Sequence, residues 1–391
     1  MFEHFVGVDV SKDKFNFCVT NSIGEKLKEG ACDVTDEGFK KFFSIIRVFN
    51  GVAIGLESTA TYHCPLLFAL LAGNLSTYLI TPLLVKNFAR SCSLRTVKTD
   101  SVDAKTIALF LEKNYTELHP AVVTGKEGLR ELSRLRESIS KKLVASKTKL
   151  KQLLTSMFPE LVRTYDIFTV SMLALLAELP SAAAFRKTSV RKITKILDSV
   201  VKGRKTTFDA EEIKELAKKS VGVSDPIFEE AVKYHVREIH FFSEELKNVE
   251  KQLIEAVNKY CGEEMEILTS TKGIGEVTAA QFLAEIGDIE RFKSAGQLIA
   301  YAGTDPGISQ SGTSLVRKHI SKKGNSSLRR VVFLMALHVI KFNEVFKEYF
   351  YKKTQLENMN GKKAVVAVAN KLLRCIFAML KNKKLFLFNY S

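Results

Sequence analysis

Four acidic residues have the types and spacing of a carboxylate cluster that binds metal ions. Asp9 lies in the apolar run FVGVDV, where a charge is costly unless it is paired or bound to a metal. Glu57 ends the apolar run VAIGLE, and Asp100 and Asp103 are three residues apart at the start of a predicted helix, on one face. These carboxylates would bind Mg²⁺ or Mn²⁺ ions, which prefer hard oxygen ligands and assist chemistry at phosphate esters. The alternative is that Asp100 caps the helix and that Asp9 and Glu57 face solvent at strand ends.

A serine in the segment PGISQSGTS, residues 306–314, is a candidate nucleophile. Ser311 precedes Gly312, and small neighbours on a turn allow a phosphate to approach a serine hydroxyl. Ser309 and Ser314 are the competing candidates. Because Ser, Gly and Pro are also ordinary loop residues, this pattern by itself does not distinguish a nucleophile from a surface loop.

A GIG turn within residues 267–287 joins two predicted helices in the manner of a helix-hairpin-helix. Backbone N–H groups at the start of a helix bind phosphate, which makes Lys272, Gly273 and Gly275 candidates for contact with nucleic acid. A simple joint between two helices explains the same glycines equally well.

Basic side chains are concentrated in residues 317–330, before a predicted helix that Asn325 or Ser326 would cap. Lys and Arg at this density suit contacts with phosphates, and a solvated basic face is the alternative. The candidates for contact with nucleic acid are Arg317, Lys318, Lys322, Lys323, Arg329 and Arg330.

The net charge of the 391 residues favours a polyanionic partner. Lys and Arg number 59 and Asp and Glu number 43, so the formal charge is +16. It is distributed as zero over residues 1–120, +10 over 121–220, −9 over 221–290 and +15 over 291–391. A neutral first part and a basic last part indicate different tasks, and nucleic acid is the leading class of partner.

Cysteine spacing and hydropathy exclude several other classes of protein. The six cysteines form no C-x-x-C pair, which argues against a zinc knuckle or a disulfide framework. The apolar runs at 66–72 and 331–340 are shorter than the roughly 18 residues of a membrane span. We therefore expect a cytoplasmic protein with no membrane contact.

The pattern of the first part of the chain predicts an α/β domain. Apolar or alternating runs predict the strands, and amphipathic stretches predict the helices between and after them. The predicted strands cover residues 5–10, 14–20, 26–33, 52–57 and 76–80, and the predicted helices cover 35–49, 63–71, 83–92 and 100–112.

The rest of the chain is predicted to be mainly helical. Two narrow apolar seams, from Leu129 through Leu135 to Met157 and from Ile239 to Val257, are typical of long coiled-coil helices. Residues 160–225 between them are predicted to be a helical insertion. After Cys261, shorter helices with glycine-rich joints predict a further domain. We therefore expect domains at 1–118, 119–261 and 262–391.

Several of these segments together resemble the insertion-sequence 110 family of bacterial transposases. The resemblance covers the first 115 and the last 130 residues, in the family's order, and Thr304 departs from it where the family often has an apolar residue. It is carried by GVDVSKDKF (7–15), GLESTATYH (55–63), KTDSVDAKTIA (98–108), the long segment 272–312, KKGNSSLRR (322–330) and the tail 361–380.

This resemblance implies a DEDD transposase, in which a RuvC-like ribonuclease H domain is joined through a coiled coil to a C-terminal transposase domain. Asp9, Glu57, Asp100 and Asp103 match the family's metal-binding acids. Ser311 matches its nucleophilic serine, which attacks a DNA phosphodiester to give a 5′-phosphoserine link. Excision and insertion would then proceed by exchange of two strands in turn.

The same resemblance implies the partners. They are double-stranded DNA of the element ends and target, in some members a noncoding bridge RNA, and further copies of the chain in a homodimer or homotetramer. Such an enzyme would act at the bacterial nucleoid. Two other functions stay open: a RuvC-type endonuclease that needs the acids without the serine, and a nucleic-acid-binding derivative without catalysis.

Overall fold

The computed structural model divides into two compact units, Met1–Gly125 and Lys126–Ser391. It describes residues 2–58, 62–92, 100–121, 126–201, 208–311 and 314–386. Within these ranges only the backbone is described for residues 100–102, 127, 201, 308–311 and 314–318.

The described part of the first unit has its strands and helices in the predicted order. The strands are β1 (His4–Val10), β2 (Lys14–Asn21), β3 (Lys26–Asp33), β4 (Val52–Glu57) and β5 (Ser76–Ile80). The helices are α1 (Asp36–Ile46), α2 (Cys64–Ala72), α3 (Pro82–Cys92) and α4 (Asp100–Asn114). Thr35 caps α1 by accepting a hydrogen bond from the Gly38 N–H at 3.1 Å, as expected for a threonine before a helix.

These strands form one mixed sheet in the order β3-β2-β1-β4-β5. β1, β2 and β3 pair antiparallel, whereas β4 lies parallel to β1 and β5 parallel to β4. Successive residues of β1 pack on opposite faces of the sheet. Val6 and Val8 join a core with α1 and α2, and Phe5 joins a second core with residues of α4.

Two long antiparallel helices dominate the second unit: α5 (Glu127–Met157) and α11 (Pro226–Thr269). Arg136 pairs with Glu250, and Ser146 donates a hydrogen bond to Glu238, so the numbering rises along one helix while it falls along the other. The predicted seams therefore meet as expected, except at Leu135, which is 47% exposed.

The predicted helical insertion consists of five short helices around their own apolar core. They are α6 (Pro159–Thr164), α7 (Val170–Glu178), α8 (Ala182–Lys187), α9 (Val190–Val201) and α10 (Ala210–Lys219). Leu150 and Leu154 from α5 and Val232 and Val236 from α11 complete this core.

The remaining elements of the second unit pack on the far ends of the two long helices. They are α12 (Glu276–Ile286), α13 (Ala295–Ala302), β6 (Pro306–Ser311), β7 (Ser314–Ile320), α14 (Ser326–Phe342), α15 (Glu344–Tyr351) and α16 (Gly361–Asn382). α11 continues past the predicted boundary at 261 and changes direction at Cys261, where φ is −144° and ψ is 39°. The division into three domains stays a prediction. Among the described residues, no helix is both long and apolar enough to span a membrane.

Candidate active site

Asp9 and Glu57 occupy neighbouring positions at one edge of the sheet. Val8 of β1 is paired with Leu56 of β4 in parallel register, so the next residue of each strand is Asp9 and Glu57. Adjacent strands lie about 4.8 Å apart, and the carboxyl ends of parallel strands meet at the same edge. The register therefore brings the backbones of these two acids close together. Both are partly buried, and both interact with other groups of the protein.

Helix α4 packs on the face of the sheet that contains Phe5 and Gly7, in close contact with β1. An added Cβ at Gly7 would lie 2.1 Å from the Ala104 carbonyl oxygen and 2.3 Å from the Ala108 nitrogen. Two residues earlier on β1, Phe5 contacts Tyr115 just beyond the end of α4, with ring centroids 5.4 Å apart. The helix therefore runs antiparallel to β1, and its first turn lies at the level of Asp9.

The first turn of α4 contains Asp100 and Asp103, so the backbone brings all four predicted acids to one region of the first unit. Asp103 is partly buried, and the side chain of Asp100 is not described. Among the side chains that are described, no group of three or more potential metal ligands lies close enough to hold an ion. The donor set consists entirely of carboxylate oxygens, which fits Mg²⁺ or Mn²⁺.

Ser311 is the last residue of β6 and pairs with Ser314, the first residue of β7. The segment that we expected to be a loop is therefore a β-hairpin, whose connecting residues 312 and 313 lie outside the described part of the chain. The competing candidate Ser309 pairs with Val316 inside the ladder. The backbone thus places Ser311 and Ser314 opposite each other at the end of the ladder, and Ser309 two residues inside it.

The base of this hairpin is attached to the end of α13. The Ser321 N–H donates a hydrogen bond to the Asp305 carbonyl at 3.0 Å, and the Ser321 hydroxyl donates to the Asp305 carboxylate. Gly324 follows, and an added Cβ there would lie 2.1 Å from the Tyr301 carbonyl oxygen. Only glycine allows this approach of the two backbones.

The basic candidates near the hairpin fall into three groups. Lys322 and Lys323 are exposed, and Arg317 and Lys318 lie on β7 with side chains that are not described. Arg329 donates a hydrogen bond to the Ala302 carbonyl at 3.0 Å, and Arg330 is 3.3 Å from the carboxylate of Glu137. Arg329 therefore connects α14 to α13, and Arg330 connects α14 to α5, which the basic composition did not indicate.

Asn325 caps α14 and is held by a buried acid. Its side-chain oxygen accepts a hydrogen bond from the Leu328 N–H at 3.0 Å, which confirms one of the two predicted caps. Its amide nitrogen donates to Glu285 at 2.7 Å, and Glu285 is fully buried. Arg134 lies 3.7 Å from the other oxygen of this carboxylate. Glu285 is not among the residues predicted from the sequence, although an acid inside the mostly apolar run QFLAEI was the available signal.

The glycines of the GIG turn have different structural roles. Gly273 has φ of +102°, and an added Cβ would lie 2.9 Å from the His338 carbonyl oxygen of α14. Gly275 precedes α12 in an extended conformation, no side chain caps this helix, and an added Cβ would meet nothing within 4 Å. Lys272 is exposed. Packing explains Gly273, whereas Gly275 leaves open space beside the first N–H groups of α12.

Glu137 on α5 contacts Ser327 and Arg330 of α14, and these contacts change its pKa. Burial by itself would raise its pKa, but hydrogen bonds from Lys141 and Ser327 and the charges of Lys141 and Arg330 outweigh burial. The pKa of Glu137 is therefore lowered from its ordinary value of 4.5. A carboxyl group with a lowered pKa stabilises the fold above its unfolded pKa, and this contribution is lost as the pH falls.

Glu137→Gln is expected to lower the free energy of unfolding near neutral pH by about 1–2 kcal/mol, because charge-assisted hydrogen bonds are lost. The difference from the unchanged protein should shrink as the pH falls below 4.5, the ordinary pKa of this carboxyl group. Urea unfolding at a series of pH values measures it. Glu131→Gln is the control, because Glu131 is 74% exposed and its contact with Arg134 is 3.9 Å. A difference that is independent of pH would contradict this role of Glu137.

Comparison with known families defines the class of the protein. Residues 6–159 match the model of a DEDD transposase domain of the IS110 type, and residues 265–351 match the model of the transposase IS116/IS110/IS902 family. The chain is thus a transposase or recombinase, a class of enzyme that cuts and joins DNA. The two matches together cover more than half of the chain, and it belongs to the insertion-sequence 110 family of transposases.

Individual relatives agree with this assignment. The uncharacterised 44.8 kDa protein of insertion element IS116 from Streptomyces clavuligerus is 27% identical over 74% of this chain and 72% of its own length. The transposase of insertion sequence IS1111A from Coxiella burnetii is 32% identical over 37% of each chain. The pilin gene-inverting protein of Moraxella bovis is 28% identical over 38% of this chain and 47% of its own length. The matched parts thus span less than half of the Coxiella and Moraxella proteins.

Proposed function

We propose that the protein excises and inserts a bacterial insertion sequence, with Asp9, Glu57, Asp100 and Asp103 as metal-binding acids and Ser311 as the nucleophile. The observation that carries the proposal is the contact of α4 with Gly7, because it brings the first turn of α4 to the edge where β1 and β4 end. The mixed sheet order with this helix supports a RuvC-like ribonuclease H domain.

Metal ions at this edge would be held by the four acids. Bound Mg²⁺ or Mn²⁺ would neutralise charge that develops on the scissile phosphate. The role of the protein is to supply oxygen ligands on rigid elements, two on neighbouring strands and two on one helical turn. The backbone contact at Gly7 keeps that turn in place relative to the strands.

Ser311 would attack a DNA phosphodiester. Its Oγ forms a bond to phosphorus, the bond from phosphorus to the 3′ oxygen breaks, and the serine proton is passed on so that the departing strand ends in a 3′ hydroxyl. The product is a 5′-phosphoserine. A 3′ hydroxyl from a second strand then attacks this link, which restores the serine and joins the two strands. The position of Ser311 supports this role, because it is the residue of β6 that lies farthest from the base of the hairpin.

Charge supports the proposed partners. The exposed Lys322 and Lys323 follow the hairpin, and Lys272 lies before the uncapped start of α12, where N–H groups suit a phosphate. The net charges of +10 over residues 121–220 and +15 over 291–391 suit DNA and a structured bridge RNA. A homodimer or homotetramer at the nucleoid would bring two DNA ends together.

Covalent trapping tests the proposal. The protein, with any RNA that co-purifies, is incubated with Mg²⁺ and DNA that carries the junction of its element, then denatured and examined for DNA-linked protein. We expect a linked peptide that contains Ser311, absent in Ser311→Ala and in Asp9→Asn and retained in Ser309→Ala, the matched control on the same strand. Cut DNA without a link would instead support a RuvC-type endonuclease, and binding without cutting would support a non-catalytic derivative.

A further inference from the structure

A cavity of about 300 Å³ lies at the foot of the hairpin in the second unit. This volume is at the lower end of the roughly 300–1,000 Å³ typical of small-ligand pockets. Its lining combines an apolar wall with arginine side chains and includes Thr304, Ile320, Arg329, Arg330, Phe333 and Val366.

One buried hydroxyl group of this lining makes no hydrogen bond within the described part of the chain. Thr304 is 3% exposed, and its Oγ1 has no hydrogen-bond partner among the described groups. Beside it, Asn370 donates a hydrogen bond to the Thr304 carbonyl at 3.1 Å, whereas the Asn370 Oδ1 is buried without a partner. Leaving a buried polar atom without a partner is energetically unfavourable, so such atoms favour a ligand that supplies the missing hydrogen bonds.

The position of the cavity connects it with bound DNA. Ile320, in its lining, is the last residue of β7, the strand that pairs with the strand of Ser311. Arg329, which donates a hydrogen bond to the Ala302 carbonyl, and Arg330, which is paired with Glu137, also belong to the lining. Pro306 pairs with Ile320 at this end of the hairpin, and Ser311 lies five residues further along β6, about 17 Å away. A DNA strand bound along the hairpin would therefore extend from Ser311 to the cavity.

We propose that the cavity receives a single nucleobase that is unstacked from a DNA strand bound at the hairpin. A base has flat apolar faces, which suit Phe333 and Val366, and polar edges, which suit the unpartnered Oγ1 of Thr304 in the lining. The phosphates that flank it would lie near the arginines. Enzymes that work on nucleic acid commonly extrude a nucleotide into such a pocket, and base stacking on an aromatic side chain offsets the loss of stacking in the strand. The inference rests on the proposed binding of DNA at Ser311.

Photo-crosslinking tests it on the full chain. A short oligothymidine with one 5-iododeoxyuridine is bound and irradiated, and the crosslinked peptide is identified. The matching oligoribonucleotide, with one 5-iodouridine, distinguishes a DNA base from an RNA base. We expect the DNA probe to crosslink to Phe333, with a yield that falls about tenfold in Val366→Phe, which fills the cavity and displaces a stacked base. Ala367→Phe is the matched control, since Ala367 is the next residue of α16 and is absent from the lining.

Thr304→Val provides a second readout if Val366→Phe fails to fold. It removes the unpartnered hydroxyl with little change of shape, so the free protein should melt at a higher temperature while the crosslink yield falls severalfold. Crosslinks that map only elsewhere, or a yield that neither variant changes, would overturn the proposal. Trapping at Ser311 without a crosslink at Phe333 would overturn the pocket alone. A crosslink without trapping would leave the pocket standing and count against the serine mechanism.

Discussion

Alanine in place of Gly7 is expected to abolish strand cleavage and to destabilise the first unit. The added methyl group would lie 2.1 Å from the Ala104 carbonyl oxygen and 2.3 Å from the Ala108 nitrogen, and both are backbone atoms. α4 would therefore have to move away from β1. Overpacking of this kind costs about 1–3 kcal/mol or more, and a shift of about 1 Å in catalytic groups can cost roughly a hundredfold in rate.

Circular dichroism during heating measures the melting temperature of Gly7→Ala. A cleavage assay with junction DNA measures its activity. Gly73→Ala in the same unit is the control, because its added Cβ would meet its nearest neighbour at 3.4 Å, an ordinary contact. If Gly7→Ala kept both the melting temperature and the cleavage rate, the acids on α4 would not depend on this contact. Our assignment of the sheet edge would then be wrong.

Glu285→Ala is expected to have the second large effect, on the second unit. Glu285 is fully buried, accepts a hydrogen bond from Asn325 at 2.7 Å and lies 3.7 Å from Arg134. The Asn325 amide would lose its buried acceptor, and losing a hydrogen bond to a charged group costs about 1.5–3 kcal/mol. Because Asn325 also caps α14, we expect the connection between the hairpin and α14 to loosen and Ser311 trapping to be lost.

Glu285→Gln separates the two interactions of this side chain. Its amide oxygen still accepts from Asn325, but the attraction to Arg134 is lost, so we expect a smaller loss of stability and retained trapping. Urea unfolding and the trapping assay, run on both variants, measure this. Equal loss in the two variants would show that the charge on Glu285, and not the support of Asn325, is what the fold requires.

Much of the first unit was predictable because its patterns are local. The apolar runs FVGVDV and VAIGLE became β1 and β4 within a residue or two of the expected ends. Alternation along KFNFCVT predicted β2, since a strand with one buried face repeats every two residues. The same alternation puts Phe5, Gly7 and Asp9 on one face, but it does not say which helix covers that face.

The second unit shows where local patterns fail. Residues 306–320 contain the small and polar residues of a loop, yet they pair as β6 and β7, because strand pairing depends on the partner as much as on composition. The basic segment contained no sign that Arg330 meets Glu137, which is 193 positions earlier in the chain. Contacts between residues so far apart depend on how the helices pack.

The sequence by itself identified the candidate groups: four carboxylates on predicted strands and a helix, a serine among small residues, a basic last part and the resemblance to one transposase family. Residue type, short-range periodicity and matched motifs are properties of local segments. Only the tertiary structure decided that α4 runs antiparallel to β1 on the face of Gly7, that Glu285 is buried beneath Asn325 and that a cavity lies beside the Ser311 hairpin. These features arise from close packing between distant segments, which no local pattern records.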